Sequence, residues 1–202
     1  MPLPLTGPLS MSQVTSELGI ISGVPPSISL NSNAVRRCAA SVSGPSVLTG
    51  TISMNNLRGG SATDVFVGGT GASQQLNAQG FTVTGYSSAF TGVDGFSIAP
   101  LGSWATVPII SFLGNSSLVR LYTYNTFSGS TLYFTISSFQ SWAGPLVLYP
   151  STIVNDTWPA TTSIPLSFTS TGFGNPGEWR AFSSTGFGFN FSQLRSFRIA
   201  KA

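Results

Sequence analysis

Residues 118–136 read LVRLYTYNTFSGSTLYFTI, with β-branched and aromatic residues alternating on both sides of the segment Phe127-Ser128-Gly129-Ser130. Such residues are favoured in strands, and a short polar segment with glycine between two alternating runs is typical of a β-hairpin. The stretch therefore predicts two antiparallel strands, Leu118 to Thr126 and Thr131 to Phe139, and indicates that the chain is a β protein.

The same alternation continues in both directions, from about Ala62 to the end of the chain, with frequent glycine and asparagine between the runs. Eight further strands are predicted at Asp64 to Val67, Gly80 to Tyr86, Gly95 to Ala99, Trp104 to Phe112, Leu146 to Tyr149, Ile164 to Ser170, Trp179 to Ser183 and Ser196 to Ala200. The Trp104 strand contains Pro108, which lacks an amide, so we expect it at a sheet edge or bulge. No long helical pattern separates the strands, which argues against a βαβ sheet. The predicted fold class is mainly β: an antiparallel β-sandwich or jelly-roll-like domain.

Before Ala62 one short phrase occurs three times: an apolar residue, a serine, a second apolar residue, then Ser or Asn. The copies are Leu9-Ser10-Met11-Ser12, Ile28-Ser29-Leu30-Asn31 and Ile52-Ser53-Met54-Asn55. The last residue of each copy predicts a helix N-cap, because Ser and Asn side chains accept hydrogen bonds from the free amides of a first helical turn. The three predicted caps are Ser12, Asn31 and Asn55.

Helical segments this short are marginal alone in water, so each of the three must dock on something. We therefore divide the chain into an N-terminal anchoring segment of short helical turns, residues 1–61, and a β-sandwich domain, residues 62–202. On this division, deletion of residues 1–60 is expected to leave the β domain folded.

The chain is unusually poor in charge. Only 6% of its 202 residues are charged, whereas about 25% is usual, and 41% are hydrophobic, with 15 phenylalanines. A soluble monomer normally keeps an interspersed charged surface. We therefore expect part of the exterior to be covered by copies of the chain or by neighbours in an assembly, with a trimer favoured. Seven of the eight basic residues are arginines, which suit interfaces, although ordinary surface arginines explain them equally well.

The remaining composition excludes several function classes. The net charge is +3, but the basic residues are scattered and form no run beyond Arg36-Arg37, so nucleic-acid binding is not expected. No apolar run approaches the length of a membrane span, and the first residues do not resemble a signal peptide. The single cysteine, Cys38, is predicted to be a small buried hydrophobe, an interchain disulfide or redox role being the alternative.

Catalysis is also not expected. Histidine is absent, which removes the commonest general base and metal ligand. The acids are only Glu17, Asp64, Asp94, Asp156 and Glu178. We predict no catalytic, cofactor-binding or metal-binding residue.

The three phrases, within Gly7 to Gly19, Pro26 to Ala40 and Thr51 to Ser61, resemble repeated N-terminal phrases of structural proteins from tailed-bacteriophage virions, often labelled tail fibre or virion protein. The second copy departs from the pattern, since it ends without a glycine. The resemblance implies a virion component made in the host cytoplasm, most simply a tail fibre or baseplate protein, and it carries over no catalytic residue. A capsid decoration or cement protein is an alternative.

Candidate assembly contacts come from the phrases, the arginines and a short internal repeat. In this repeat, Ser-Thr-Gly-Phe-Gly at 170–174 recurs at 184–188. Glycines around each phenylalanine predict projecting aromatic knobs, or else two similar turns covering a core edge. The candidates are Leu9, Met11, Ile28, Leu30, Arg36, Arg37, Ile52, Met54, Arg58, Phe173 and Phe187. A further alternative is a host-glycan recognition module displaying Trp142, Trp158 or Trp179, although burial in a core is the favoured interpretation for all three.

Overall fold

The computed structural model describes most of the chain. The described residues are 3–18, 29–32, 35–36, 38–39, 50–92, 95–104, 108–113, 116–137, 143–151, 163–169, 177–187, 189, 191–193 and 195–202. Its helical elements include α1 at Met11–Glu17 and 3-10 turns at Met54–Leu57 and Ser111–Leu113, and residues 35–36 and 38–39 are also helical. The strands are β1 Thr63–Gly68, β2 Ala72–Gln75, β3 Thr82–Ser87, β4 Phe90–Thr91, β5 Ser97–Ile98, β6 Ile109–Ile110, β7 Ser116–Thr126, β8 Gly129–Ile136, β9 Leu146–Pro150, β10 Ile164–Thr169, β11 Glu178–Ser183 and β12 Arg195–Lys201.

Ten of these twelve strands form a curled antiparallel sheet in the order β1-β12-β9-β10-β11-β8-β7-β3-β2, with β6 beside the start of β7, and β4 pairs with β5 separately. Strand β10 turns the corner, because its first half pairs with β9 and its second half with β11. A strand that passes from one sheet to another is the usual corner of a sandwich. The prediction of a mainly β, antiparallel, sandwich-like fold is confirmed.

The hairpin at residues 118–136 is the centre of this sheet. Strands β7 and β8 pair from Leu118 opposite Ile136 to Thr126 opposite Gly129, with a shift of register between Leu118 and Arg120. The turn is tighter than the sequence predicts, since only Phe127 and Ser128 lie outside the ladder. Gly129 follows these two turn residues and has a φ of 139°, a backbone angle that residues with a Cβ rarely adopt.

Each of the other predicted strands has a counterpart, and the largest change of length is at Trp104 to Phe112. There only Ile109 and Ile110 form a strand, at the start of β7, and residues Ser111–Leu113 turn into a 3-10 helix. The two strands that the sequence analysis missed are β2 and β4. Strand β2 is polar and mostly exposed, so it lacks an apolar alternation.

The main core lies between the two halves of the curled sheet and contains Trp179, Phe134 and Phe197, all fully buried. Tyr86 of β3 crosses this core, and its hydroxyl donates to the Gly69 carbonyl oxygen at 2.8 Å. A Cβ at Gly68 would lie 2.5 Å from the Tyr86 ring. The close packing of the two halves therefore requires glycine at this point.

A smaller cluster covers the outer face of β3, β7 and β8. Tyr122 and Tyr133 stack there with ring centroids 4.7 Å apart, and the short β4–β5 hairpin lies over them. Gln74 of β2 fixes this hairpin, because its side-chain oxygen accepts from the Ala99 amide at 2.8 Å and its amide donates to the Ser97 carbonyl. This part of the sheet is thus packed on both faces.

The first and third helical turns of the N-terminal segment each begin two residues earlier than predicted. Ser10, not Ser12, caps α1: it accepts from the Gln13 amide at 3.2 Å while its own amide donates to the Gln13 side chain at 2.7 Å. This reciprocal pair is a capping box. Ser53, not Asn55, precedes the turn at Met54–Leu57, and its amide donates to Asn56 Oδ1 at 2.7 Å.

In the second phrase Ser32 replaces the predicted cap Asn31. The Val35 amide donates to Ser32 Oγ at 3.4 Å, three residues along the chain, which is the N-cap pattern. The Asn31 side chain instead accepts a hydrogen bond from Arg36 at 2.7 Å, and Arg36 also donates to the Gly50 carbonyl at 2.7 Å. Arg36 therefore ties the second phrase to the start of the third.

The first strand, β1, begins at Thr63, shortly after the third helical turn. The N-terminal segment and the strands share one hydrophobic core with Phe66 and Phe112. The core residues that the N-terminal segment supplies are Leu3, Val14, Leu18, Val35, Cys38, Ala39, Ile52 and Leu57. The segment thus docks on the chain's own sheet.

Candidate functional site

The apolar residues predicted as assembly contacts mostly face the interior. Ile52 is 6% exposed and belongs to the core, so its placement as an external contact is corrected. Leu9, Met11, Leu30 and Met54 are partly buried and pack against the same core. The described apolar residues of the phrases therefore contact the chain's own core.

The predicted arginine contacts that the structure describes make internal hydrogen bonds. Arg36 binds Asn31 and Gly50, as above, and Arg58 Nε donates to Asn55 Oδ1 at 3.2 Å. Phe187 is partly buried beside the core. The remaining candidates lie outside the described residues: Ile28, Arg37 and Phe173.

Trp179 is fully buried, and its indole nitrogen donates to the Gly144 carbonyl at 2.9 Å. The interpretation that it stacks on a sugar at the surface is wrong, because its ring packs against Phe134 and Phe168 instead. Trp142 and Trp158 lie outside the described residues.

Two phenylalanines are strongly exposed at one end of the sheet. Phe127, in the β7–β8 turn, is 82% exposed, and Phe182, near the end of β11, is 63% exposed. Phe81 supports the first of them, with ring centroids 5.3 Å apart in an edge-to-face arrangement. The Phe182 ring lies close to the turn, since a Cβ at Gly129 would be 3.0 Å from its Cζ. We call Phe81, Phe127 and Phe182 the aromatic tip.

Uncharged residues surround the aromatic tip. Residues 79–82, 125–131 and 182–187 include no Asp, Glu, Lys or Arg and are mainly Ser, Thr, Gly, Asn and Phe. Exposed aromatic groups among small polar residues are typical of surfaces that bind other molecules, as in antibody paratopes. The tip is therefore the part of the described surface best suited to binding.

An open groove of about 420 Å³ adjoins the tip on the outer face of β10 and β11. Its apolar lining is Ile164, Pro165, Ala181, Phe182 and Phe187, and its polar lining is Ser163, Ser167, Arg180 and Ser183 together with Gly186. Phe182 belongs to both features. The volume of the groove falls within the range of roughly 300–1,000 Å³ that is usual for ligand clefts.

Arg180 is held rigidly at the edge of this groove. Its Nε donates to Glu178 Oε1 at 2.6 Å, and its guanidinium lies 4.8 Å from the Tyr133 ring centroid. Glu178 is itself fixed by the Thr135 hydroxyl, which donates to Oε2 at 3.3 Å. The Arg180 side chain is 43% exposed, so its remaining N–H groups can bind a partner without rearrangement.

A second polar cluster is buried where the N-terminal segment meets β12. Glu17 Oε1 accepts from the Ala62 amide at 2.9 Å, and Lys201 Nζ lies 3.9 Å from Glu17 Oε2. Burial raises the pKa of the adjacent Cys38 thiol to about 12, with Glu17 acting in the same direction. Burial also lowers the pKa of Lys201, while Glu17 opposes that shift. Cys38 is fully buried, as predicted, and this cluster joins elements within the chain.

The acidic residues that the structure describes lie in the interior. The described acids Glu17, Asp64 and Glu178 are each buried, Asp64 accepting from the Phe112 amide at 3.5 Å. Within the part of the chain that the structure describes, His, Cys, Asp and Glu form no group of three suited to a metal ion. The groove presents aromatic, hydroxyl and guanidinium groups, and Arg180 is the charged residue of its lining.

The sequence analysis missed the aromatic tip although one signal for it was present. Phe127 occupies a hairpin turn, where Asn, Asp or Gly are the favoured residues. A phenylalanine there gains little from the chain's own core, as its exposure shows.

No protein-family model, curated protein or solved structure matches this chain. Among the described residues, no helix has the length and apolar character that crossing a membrane would require.

Proposed function

We propose that this chain is a non-enzymatic structural protein of a bacteriophage virion, a tail fibre or baseplate component, that binds neighbouring proteins through the aromatic tip. The resemblance of the three phrases supports the virion assignment. The charge content of 6% supports an exterior that partners complete. Its role would be structural, as one component of the assembled particle.

The observation that carries the binding role is the exposure of Phe127 and Phe182, at 82% and 63%, beside the uncharged stretches 79–82, 125–131 and 182–187. Aromatic residues are enriched in the cores of protein interfaces, where charged residues are depleted. The N-terminal phrases are less suited to that role than the sequence suggests, because Ile52 lies in the core of the chain and Leu9, Met11, Leu30 and Met54 pack against it. Docking on the particle is thus assigned to the β domain.

An immunological experiment tests the virion assignment. An antibody against the purified chain is used on density-gradient-purified particles from the source culture and on particle-free lysate. We expect the chain to co-purify with particles and immunogold to label their tails. Label on the capsid would favour a decoration protein, and a chain confined to the particle-free lysate would contradict the proposal.

Recognition of a host glycan is the second candidate function, and the rigid Arg180 beside the groove favours it. Aromatic faces and fixed hydrogen-bond donors are the groups that bind sugar rings and hydroxyls. A glycan array probed with the intact chain and with Arg180→Ala tests this function. Specific binding that the substitution abolishes would support it, and an array without signal would oppose it.

A further inference from the structure

We propose that two copies of this chain pair through the outer face of β10 and β11, with Phe127 of each copy inserted into the groove of the other. The inference rests on the proposed assembly function and names the partner that the aromatic tip fits.

Phe127 has the properties of a preformed knob. It stands at the end of a hairpin with only two residues in its turn, and Phe81 supports one side of its ring at 5.3 Å. Most of its surface is exposed. A ring held in place loses little conformational freedom on binding, so more of the contact contributes to affinity.

The groove has the properties of a receptor for such a knob. Pro165, Phe182 and Phe187 give it an apolar lining, and Ser163 and Ser167 add hydroxyls. A phenyl ring fits within its volume of about 420 Å³. Aromatic anchors inserted into pockets are the usual hot spots of protein interfaces.

The positions of knob and groove favour a two-fold arrangement. Phe182 lines the groove and also lies beside the turn that carries Phe127, as the 3.0 Å distance from a Cβ at Gly129 shows. Knob and groove therefore share one face, with Phe182 between them. A two-fold axis through such a face brings each knob to the other groove, so Phe182 meets its own copy near the axis.

The charges on this face suit a second copy. The aromatic tip has no charged residue, and Arg180 at the groove is neutralised by Glu178 at 2.6 Å. Two such faces meet without like-charge repulsion, which would otherwise oppose self-association. A saccharide in the groove would leave Phe127 exposed, so this residue distinguishes the two occupants.

Sedimentation velocity and native mass spectrometry of the full chain, across micromolar concentrations, test the inference. We expect a reversible dimer, and we expect Phe127→Ser to weaken it by about tenfold or more. Leu5→Ser is the matched control, because Leu5 is 76% exposed but lies in the N-terminal segment. Circular dichroism of each variant establishes that it is folded.

Mixing two variants tests the mutual insertion. Ser167→Trp fills the groove but keeps the knob, whereas Phe127→Ser keeps the groove. Each variant alone should dimerise weakly. Their mixture should form a heterodimer with higher affinity than either homodimer, since one knob again meets one open groove. Equal affinities in the three cases would overturn mutual insertion.

Other results would overturn the inference without touching the virion assignment. These are a monomeric wild-type chain, a trimer whose mass Phe127→Ser leaves unchanged, and equal weakening by Leu5→Ser. Saccharide binding by the monomeric chain would assign the groove to a glycan instead. Conversely, a dimer that is never found in particles would leave the pairing intact and contradict only the virion assignment.

Discussion

Glu17, the last residue of the first helix, and Lys201, in the last strand, form a buried ion pair with 3.9 Å between Oε2 and Nζ. Lys201 also donates to the Glu17 carbonyl oxygen, and Glu17 Oε1 accepts from the Ala62 amide. Both side chains are almost wholly buried. The pair thus joins the two ends of the chain and fixes the N-terminal segment to the sheet.

Breaking this pair should strongly destabilise the fold. Removing one partner of a buried pair leaves a charge without compensation, at a cost of roughly 3–5 kcal/mol in the free energy of unfolding. We expect that loss for Lys201→Met, and a smaller loss for Glu17→Gln, which keeps an acceptor for Ala62. Urea unfolding measures both.

The double variant Glu17→Gln with Lys201→Met is the control for this prediction. Because it removes both charges together, its destabilisation should fall short of the sum of the single effects by about 1–3 kcal/mol. Additive effects would mean that the two groups do not interact and would contradict the pairing.

The buried thiol of Cys38 should make the fold sensitive to alkaline pH. Its pKa rises from 9.0 to about 12 on folding, so between these values the unfolded chain releases a proton that the folded chain keeps. Stability contributed by this group is therefore complete below pH 9 and falls as the pH rises toward 12. Lys201, whose pKa is lowered, acts in the opposite direction below its ordinary value of 10.5.

The variant Cys38→Ala isolates the thiol, because it leaves Lys201 and the tyrosines in place. Between about pH 9 and 11 the wild type should lose stability relative to the variant by on the order of 1 kcal/mol per pH unit. Urea unfolding at several pH values measures the difference. Parallel curves for the two proteins would refute the role of the thiol.

The alternation of apolar and polar residues in the sequence was sufficient to predict most strands of the sheet, but not its polar edge strand β2. In the hairpin at residues 118–136, β-branched and aromatic residues alternate on both strands, and the structure pairs these strands as predicted. Strand β2 could not be found this way, because its side chains are Ala, Ser and two Gln and most are exposed. It is ordered instead by backbone pairing with β3 and by the Gln74 contacts to the β4–β5 hairpin.

The direction in which the N-terminal phrases face could not be predicted, because an apolar turn docks equally well on its own sheet or on a neighbour. Val14 and Leu57, which follow the first and third phrases, are buried in the chain's own core.

The aromatic tip could not be predicted either, because it depends on tertiary structure. Phe127 and Phe182 are distant in sequence, and only the β8–β11 pairing brings the second to the turn that carries the first.

The helix caps give a direct test of which serine begins each turn. Ser10→Ala should destabilise the chain by about 0.5–2 kcal/mol, because it removes the acceptor for the Gln13 amide. Ser12→Ala is the matched control, since Ser12 is already within α1, and its effect should remain below about 0.5 kcal/mol. Thermal or urea unfolding measures both. A larger loss of stability for Ser12→Ala than for Ser10→Ala would show that Ser12 is the N-cap, as the sequence predicts.

The shared core predicts that the N-terminal segment is required for folding. Leu57 is fully buried in the main cluster, so Leu57→Ala should cost about 2–5 kcal/mol, whereas Leu5→Ala, at an exposed position, should have almost no effect. Deletion of residues 1–60 removes Val14, Val35 and Leu57 together and exposes the core residues that they cover. The truncated chain should lose its cooperative thermal transition and its near-ultraviolet circular dichroism, in contrast to the independent β domain expected from the sequence. A truncated chain that unfolds cooperatively at the temperature of the full chain would show that the sheet does not depend on the segment.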